Sequence, residues 1–324
     1  MSGSVSDYRI GVAAVLFASL VWGTTGTAAT FAPEVGPAAI GAVAMGVGGL
    51  LQALVALPSI ARARALLLAQ WRGLVLGGLA VAIYPLAFYG AMRLAGVTIG
   101  TVVTIGSAPL LSALIEYLSG ARLSRRWLIG ALIGLAGMAL LVLAQGPALP
   151  DAAGQSRSLA GIGLALIGGL TYALYSWTAR GLMLRGVASR AAMGATFGLG
   201  GLLLMPVLIA TGAPLLASAG NAAVGAYMAV VPMFLGYLAF GMGLARIPAS
   251  TATTISLIEP VVAAMLAIAI VGERLPAMGW AGVALIIACL AVITTPPGGL
   301  RRGRTRVQPS SQPLPDQTRC SRKS

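Results

Sequence analysis

Ten mostly apolar runs, each roughly the twenty residues that a membrane-crossing helix needs, constrain this chain of 324 residues more than any motif does. They cover residues 10–31, 36–57, 71–94, 98–118 and 127–144, then 159–179, 191–211, 219–245, 250–271 and 278–295. Inside hydrocarbon no water is present to satisfy backbone polar groups, so only a helix or a closed barrel can cross. A barrel strand alternates polar and apolar residues, and these runs do not. The expected fold class is therefore all-α integral membrane, with ten transmembrane helices. Composition agrees: 58% of residues are hydrophobic and 9% charged, against about 25% charged in a soluble domain. The first run is too long for a cleavable signal peptide.

The net charge of +14 suggests a nucleic acid partner only until the basic residues are located. They lie in short loops and in the C-terminal tail, a layout that sets membrane topology. With the N-terminus in the cytoplasm, eighteen of the 21 Lys and Arg residues fall on the inner side. Only Arg93, Arg157 and Arg274 fall outside. This asymmetry predicts a multi-pass protein of the cell membrane with both termini cytoplasmic. Its expected partners are lipid and a small-molecule substrate, not nucleic acid, and a homodimer is left open. There is no histidine, and Cys289 and Cys320 imply no disulfide framework. No metal or other cofactor is called for.

The chain also repeats. Gly48-Gly49-Leu50-Leu51 matches Gly200-Gly201-Leu202-Leu203, an offset of 152, and Gly120-Ala121-Arg122-Leu123 matches Gly272-Glu273-Arg274-Leu275 at the same offset. Gly46 pairs with Gly198 and Gly130 with Gly282. Each half then holds five helices. An odd number makes the halves insert with opposite orientation, so the reading is two inverted five-helix repeats. The boundaries are 10–145 for the first repeat, 146–158 for a linker loop, 159–295 for the second repeat and 296–324 for a disordered basic tail.

Several stretches resemble the drug/metabolite transporter superfamily, specifically proteins with two EamA-type domains. They are Ile247-Pro248-Ala249-Ser250, Leu257-Ile258-Glu259-Pro260-Val261 and Val271-Gly272-Glu273-Arg274-Leu275-Pro276 in the second half. Ser107-Ala108-Pro109-Leu110, Gly120-Ala121-Arg122-Leu123-Ser124 and Trp22-Gly23 correspond in the first. The resemblance covers about residues 10–296. It departs at Ala121, where the family often carries a glutamate, and Pro109 and Pro260 stand 151 apart, one residue off the repeat. It implies a central cavity between the repeats and a secondary transporter, more often an exporter of amino acids, metabolites or drugs.

Only two of the seven acidic residues lie inside apolar runs. Glu259 sits near the middle of the ninth run, directly before Pro260, which cannot donate a backbone proton and loosens the helix. A carboxylate at that depth reads as a proton site or a partner for a cationic substrate, or else as a protonated group joining two helices. Glu116 lies near the end of the fourth run and reads as structural, paired with Arg122 or Arg125. Tyr84 and Phe88 share a helix face, as do Tyr172 and Tyr175. Trp22, Tyr84, Phe88, Tyr172, Tyr237 and Glu259 are the cavity candidates for organic solutes, the competing role being helix packing. Tyr175 and Trp177 read as packing or interface residues. Pro85 and Pro232 are candidate bends, with Pro109 and Pro260 as structural or gating prolines. The hydroxyls of Thr24, Thr25, Thr254 and Ser256 either meet a substrate or bond their own helix backbone.

Three functions compete. A carrier driven by a gradient, with protons as one coupling ion, fits the repeat, the buried glutamate and the lack of a phosphate-binding loop. A membrane-embedded enzyme needs a nucleophile with its base, a metal cluster or paired carboxylates, and one carboxylate near the midplane is a poor start. A non-transporting partner protein would use an extramembrane domain, which this chain lacks outside its short tail. The topology is checkable: a fluorescent protein fused at either terminus should fluoresce in the cytoplasm, and a cysteine placed at Glu34 should react with a membrane-impermeant maleimide on intact cells.

Overall fold

The computed structural model describes residues 5–144, 152–271 and 274–295. The expected tail at 296–324, the first part of the expected linker at 146–151 and the pair Gly272-Glu273 lie outside the described residues. Among the described residues there are ten helices long and apolar enough to cross a membrane, and no strand. They are α1 (Val5–Thr30), α2 (Pro37–Ala69), α3 (Trp71–Ala95), α4 (Ile99–Leu118) and α5 (Arg125–Leu143) in the first repeat. The second holds α6 (Arg157–Leu184), α7 (Ser189–Thr211), α8 (Ala219–Leu244), α9 (Ala249–Ile270) and α10 (Ala277–Thr294). The helical backbone leading into α6 begins at Ala152, where a loop was expected up to residue 158.

Packing joins the repeats more than it holds each one together. The most extensive contacts pair α3 with α6, α5 with α10 and α2 with α7, always one helix from each half. At the α2–α7 crossing the repeat-related glycines meet. A Cβ on Gly201 would stand 2.7 Å from the carbonyl oxygen of Gly46, so a side chain there would push the helices apart. Close backbone approach through small residues supplies the van der Waals contact that lipid cannot replace. Large apolar residues such as Phe17, Leu54, Leu79, Leu132 and Ile209 remain exposed on the outer faces, as a lipid-facing surface requires.

The helices depart from regular α-helix at a few places, one of them the π-helical end of α9 at Ala267–Val271. Helix α1 breaks at Gly23-Thr24 between the segments Val5–Trp22 and Thr25–Thr30. The Thr24 and Thr25 hydroxyls donate to the Val21 and Trp22 carbonyls at 2.6 and 2.7 Å. Helix α2 is π-helical over Ala42–Val47, and α8 over Ala229–Leu235, around Pro232. Helix α9 narrows to a 3₁₀ turn at Ser256–Ile258, one turn before Pro260, whose missing N–H removes a bond from that turn. Pro85 and Pro109 sit inside uninterrupted α-helix.

Glu116 meets a different partner from the expected Arg122 or Arg125. Its carboxylate crosses to the start of α9, where it accepts from Ala249 N at 2.8 Å, Ser250 N at 3.3 Å and Ser250 Oγ at 2.5 Å. The first N–H groups of a helix have no internal acceptor, and the helix dipole favours an anion beside them. Neighbouring arginines in sequence cannot compete with that geometry. Glu116→Ala should cost about 2–3 kcal/mol, because it strands buried donors. It should lower the melting temperature in detergent clearly, whereas Arg122→Ala should leave it nearly unchanged.

Candidate functional site

A cavity of about 1110 Å³ enters the described part of the bundle from one end. Its mouth lies at the end that carries Arg93, Arg274 and the start of α2, opposite the end that carries Tyr8 and Ile293. Its walls come from both repeats: Thr25 and Ala29 of α1, Met92 of α3, Thr101 of α4, Leu141 of α5 and Ala263 and Ile268 of α9. At its floor stand Trp22, Phe88, Tyr89 and Glu259.

Below that floor is a second space of about 20 Å³. Trp22, Tyr84, Phe88, Tyr89, Tyr172 and Tyr237 wall it, together with Glu259. All six residues named from the sequence as cavity candidates therefore surround one chamber, and three of them also line the larger cavity. Tyr84 and Phe88 stack at 5.6 Å between ring centroids, as their shared helix face predicts, and Trp22 lies 4.7 Å from Tyr237 across the repeats.

Glu259 is 8% exposed, and its carboxylate makes no hydrogen bond or ion pair with any described residue. Its place depends on Gly23. A Cβ on Gly23 would stand 2.6 Å from Val262 Cβ and 2.9 Å from the Glu259 carbonyl oxygen. The glycine lets the break in α1 press against the α9 backbone at Glu259, next to Trp22 and Thr25, which line the chamber.

Hydrogen bonds hold the rings in register. Trp22 Nε1 donates to the Pro232 carbonyl at 2.9 Å, an oxygen within the π-helical segment of α8. Tyr172 donates to Ser256 Oγ at 3.0 Å, and the Tyr175 and Tyr237 hydroxyls share a bond of 2.7 Å. Tyr175 is thus part of the aromatic cluster beneath the chamber, with Phe197 beside it and Phe240 beside Tyr172. Thr254 and Ser256 donate to backbone carbonyls of their own helix, at 2.6 and 2.8 Å, while accepting from Trp127 and Tyr172.

Sequence reasoning missed Tyr89, Met45 and Met233 as chamber residues, and Arg93 and Arg274 as residues of the mouth; Thr25, whose hydroxyl had two readings, lines both spaces and also bonds its own helix. Tyr89 directly follows Phe88 in the chain. The methionines carried no signal, because any apolar helix holds some. The two arginines had been read only as topology markers.

A multi-helical bundle with a deep one-sided cavity between two repeats has the architecture of a membrane transporter. The comparisons with known proteins agree. The model of the EamA-like transporter family matches residues 9–143 and again 159–295, so this chain belongs to that family. It is 31% identical over 285 residues to the "Uncharacterized transporter YwfM" of Bacillus subtilis (strain 168), covering 87% of this chain and 93% of that protein. A solved crystal structure shares the fold with a TM-score of 0.71 at 21% identity, over 90% of this chain and 96% of the other.

The Gly23 contact carries a prediction. Gly23→Ala should cost about 1–3 kcal/mol through overpacking against Val262. Gly26→Ala, where a Cβ would meet nothing within 4 Å, should be neutral. Thermal unfolding of the two purified variants in detergent would show the difference.

Proposed function

We propose that this transporter is a secondary carrier that exports small organic solutes by alternating access, with proton coupling at Glu259. The observation that supports this most is a nine-tenths buried carboxylate, without a partner among the described residues, on the floor of a cavity open at one end. An ionised group in such surroundings is costly, so it gains much by taking up a proton or a cation. A group that alternates between the two couples a gradient to movement of the solute. Amino acids, metabolites and drugs of modest size all fit a space of about 1110 Å³.

The basic loops support a reading with both termini in the cytoplasm, in which the cavity faces outward in this conformation. The closed end is then cytoplasmic. Its closure runs across the repeats: Glu116 to the start of α9, Trp127 Nε1 to Thr254 Oγ1 at 3.1 Å, and the Tyr8 hydroxyl to the Ile293 carbonyl at 2.6 Å. Opening toward the cytoplasm requires these bonds to part while the rings beneath Glu259 separate. The carrier sits in the cell membrane and works on small molecules; this reading involves no catalytic step.

The test is flux in proteoliposomes under an imposed pH gradient, with a mixed pool of amino acids, amines and organic drugs. Wild-type protein should show gradient-driven flux, and Glu259→Gln should lose it by about a hundredfold, the scale for removing one essential proton-transfer group. Equal flux in both proteins would take the proton role from Glu259. Flux indifferent to the gradient would make the protein a facilitator.

A further inference from the structure

Resting on the carrier reading, we infer that the small chamber beneath Glu259 seats a primary ammonium group, and that the transported molecules carry one. Four observations converge on this chemistry. Glu259 is nine-tenths buried, reaches both spaces and has no partner among the described residues. A carboxylate in an apolar interior is stabilised most by a cation placed directly beside it. Around it stand six aromatic residues, and the negative face of an aromatic ring attracts a desolvated cation.

Size then narrows the cation. The chamber measures about 20 Å³, and a space of roughly 10–15 Å³ on this measure holds one water molecule. A primary ammonium head is about as large as water and fits. A trimethylammonium head is several times larger and does not fit unless the rings move. A fully hydrated metal ion is excluded for the same reason.

The remainder of the molecule has its own place. Trp22, Thr25, Phe88, Tyr89 and Glu259 line both spaces, so a head group in the chamber leads directly into the larger cavity. There Ile40, Met92, Val102 and Leu141 offer an apolar wall, and Arg93 and Arg274 stand at the mouth. An apolar body fits that wall. A carboxylate on the same molecule is tolerated by the two guanidinium groups. The shared requirement is the primary ammonium, whether it belongs to a simple amine or to an amino acid.

Calorimetry on the purified full chain in detergent tests this with four probes of similar bulk: phenethylamine, phenylalanine, N,N,N-trimethylphenethylammonium and 3-phenylpropanoate. Phenethylamine, phenylalanine or both should bind. The trimethyl analogue should bind at least about tenfold more weakly, equivalent to about 1.4 kcal/mol, and the carboxylate should give no signal. Binding by only one of the two primary amines supports the head-group site and says whether the mouth arginines demand a carboxylate. Glu259→Gln should lose primary-amine binding with an unchanged size-exclusion profile. Tyr84→Ala, which widens the chamber, should narrow the gap between phenethylamine and its trimethyl analogue.

Equal affinity for those two in the wild type overturns the inference. So does binding of 3-phenylpropanoate alone, retained affinity in Glu259→Gln, or no binding by either primary amine. Gradient-driven flux of other solutes without amine binding would remove this inference and leave the carrier standing. Amine binding without flux under any gradient would do the reverse.

Discussion

A helix in hydrocarbon must satisfy its own backbone, and every departure from regular helix has to be repaired by protein or lined by a cavity. In this protein the departures gather where the two spaces are. The break in α1 delivers Thr25, the π-helical part of α2 delivers Met45, that of α8 delivers Met233, and the 3₁₀ turn of α9 precedes Glu259. The repairs come from side chains of other helices. Trp22 donates to the Pro232 carbonyl, and Gln52 Nε2 to the Met233 carbonyl at 3.3 Å. Irregular backbone and candidate site are one construction.

The two ends of the bundle are built differently. At the Tyr8 end, polar side chains satisfy helix termini. Glu116 accepts from the first N–H groups of α9, and Arg180 donates to the Leu244 and Ile247 carbonyls after α8. The turn between α8 and α9 is held from both sides. At the other end the helices stand apart around the cavity mouth, where Arg93 and Arg274 are exposed.

Much of the candidate site was legible because aromatic and acidic residues are rare in this chain. Trp22, Tyr84, Phe88, Tyr172, Tyr237 and Glu259 stood out from alanine, glycine and leucine, and all six border one chamber. Tyr175 was harder: its depth along α6 did not reveal that it would bond to Tyr237 from α8. The local arginines suggested a partner for Glu116, while two of the three donors that it meets are backbone groups 133 and 134 residues away. Backbone N–H groups leave no mark in a sequence.

The sequence by itself determined that the chain crosses a membrane ten times in two five-helix halves, because hydrophobic length, charge asymmetry and internal repetition each act locally and add along the chain. It also singled out one buried carboxylate and the proline that unsettles its helix. Only the tertiary structure decided that Gly23 would let α1 rest against the Glu259 backbone, that no described residue would pair with the carboxylate, and at which end the cavity would open. Those outcomes depend on contacts between helices far apart in the chain, and in lipid such contacts are settled by fit and hydrogen bonding between surfaces.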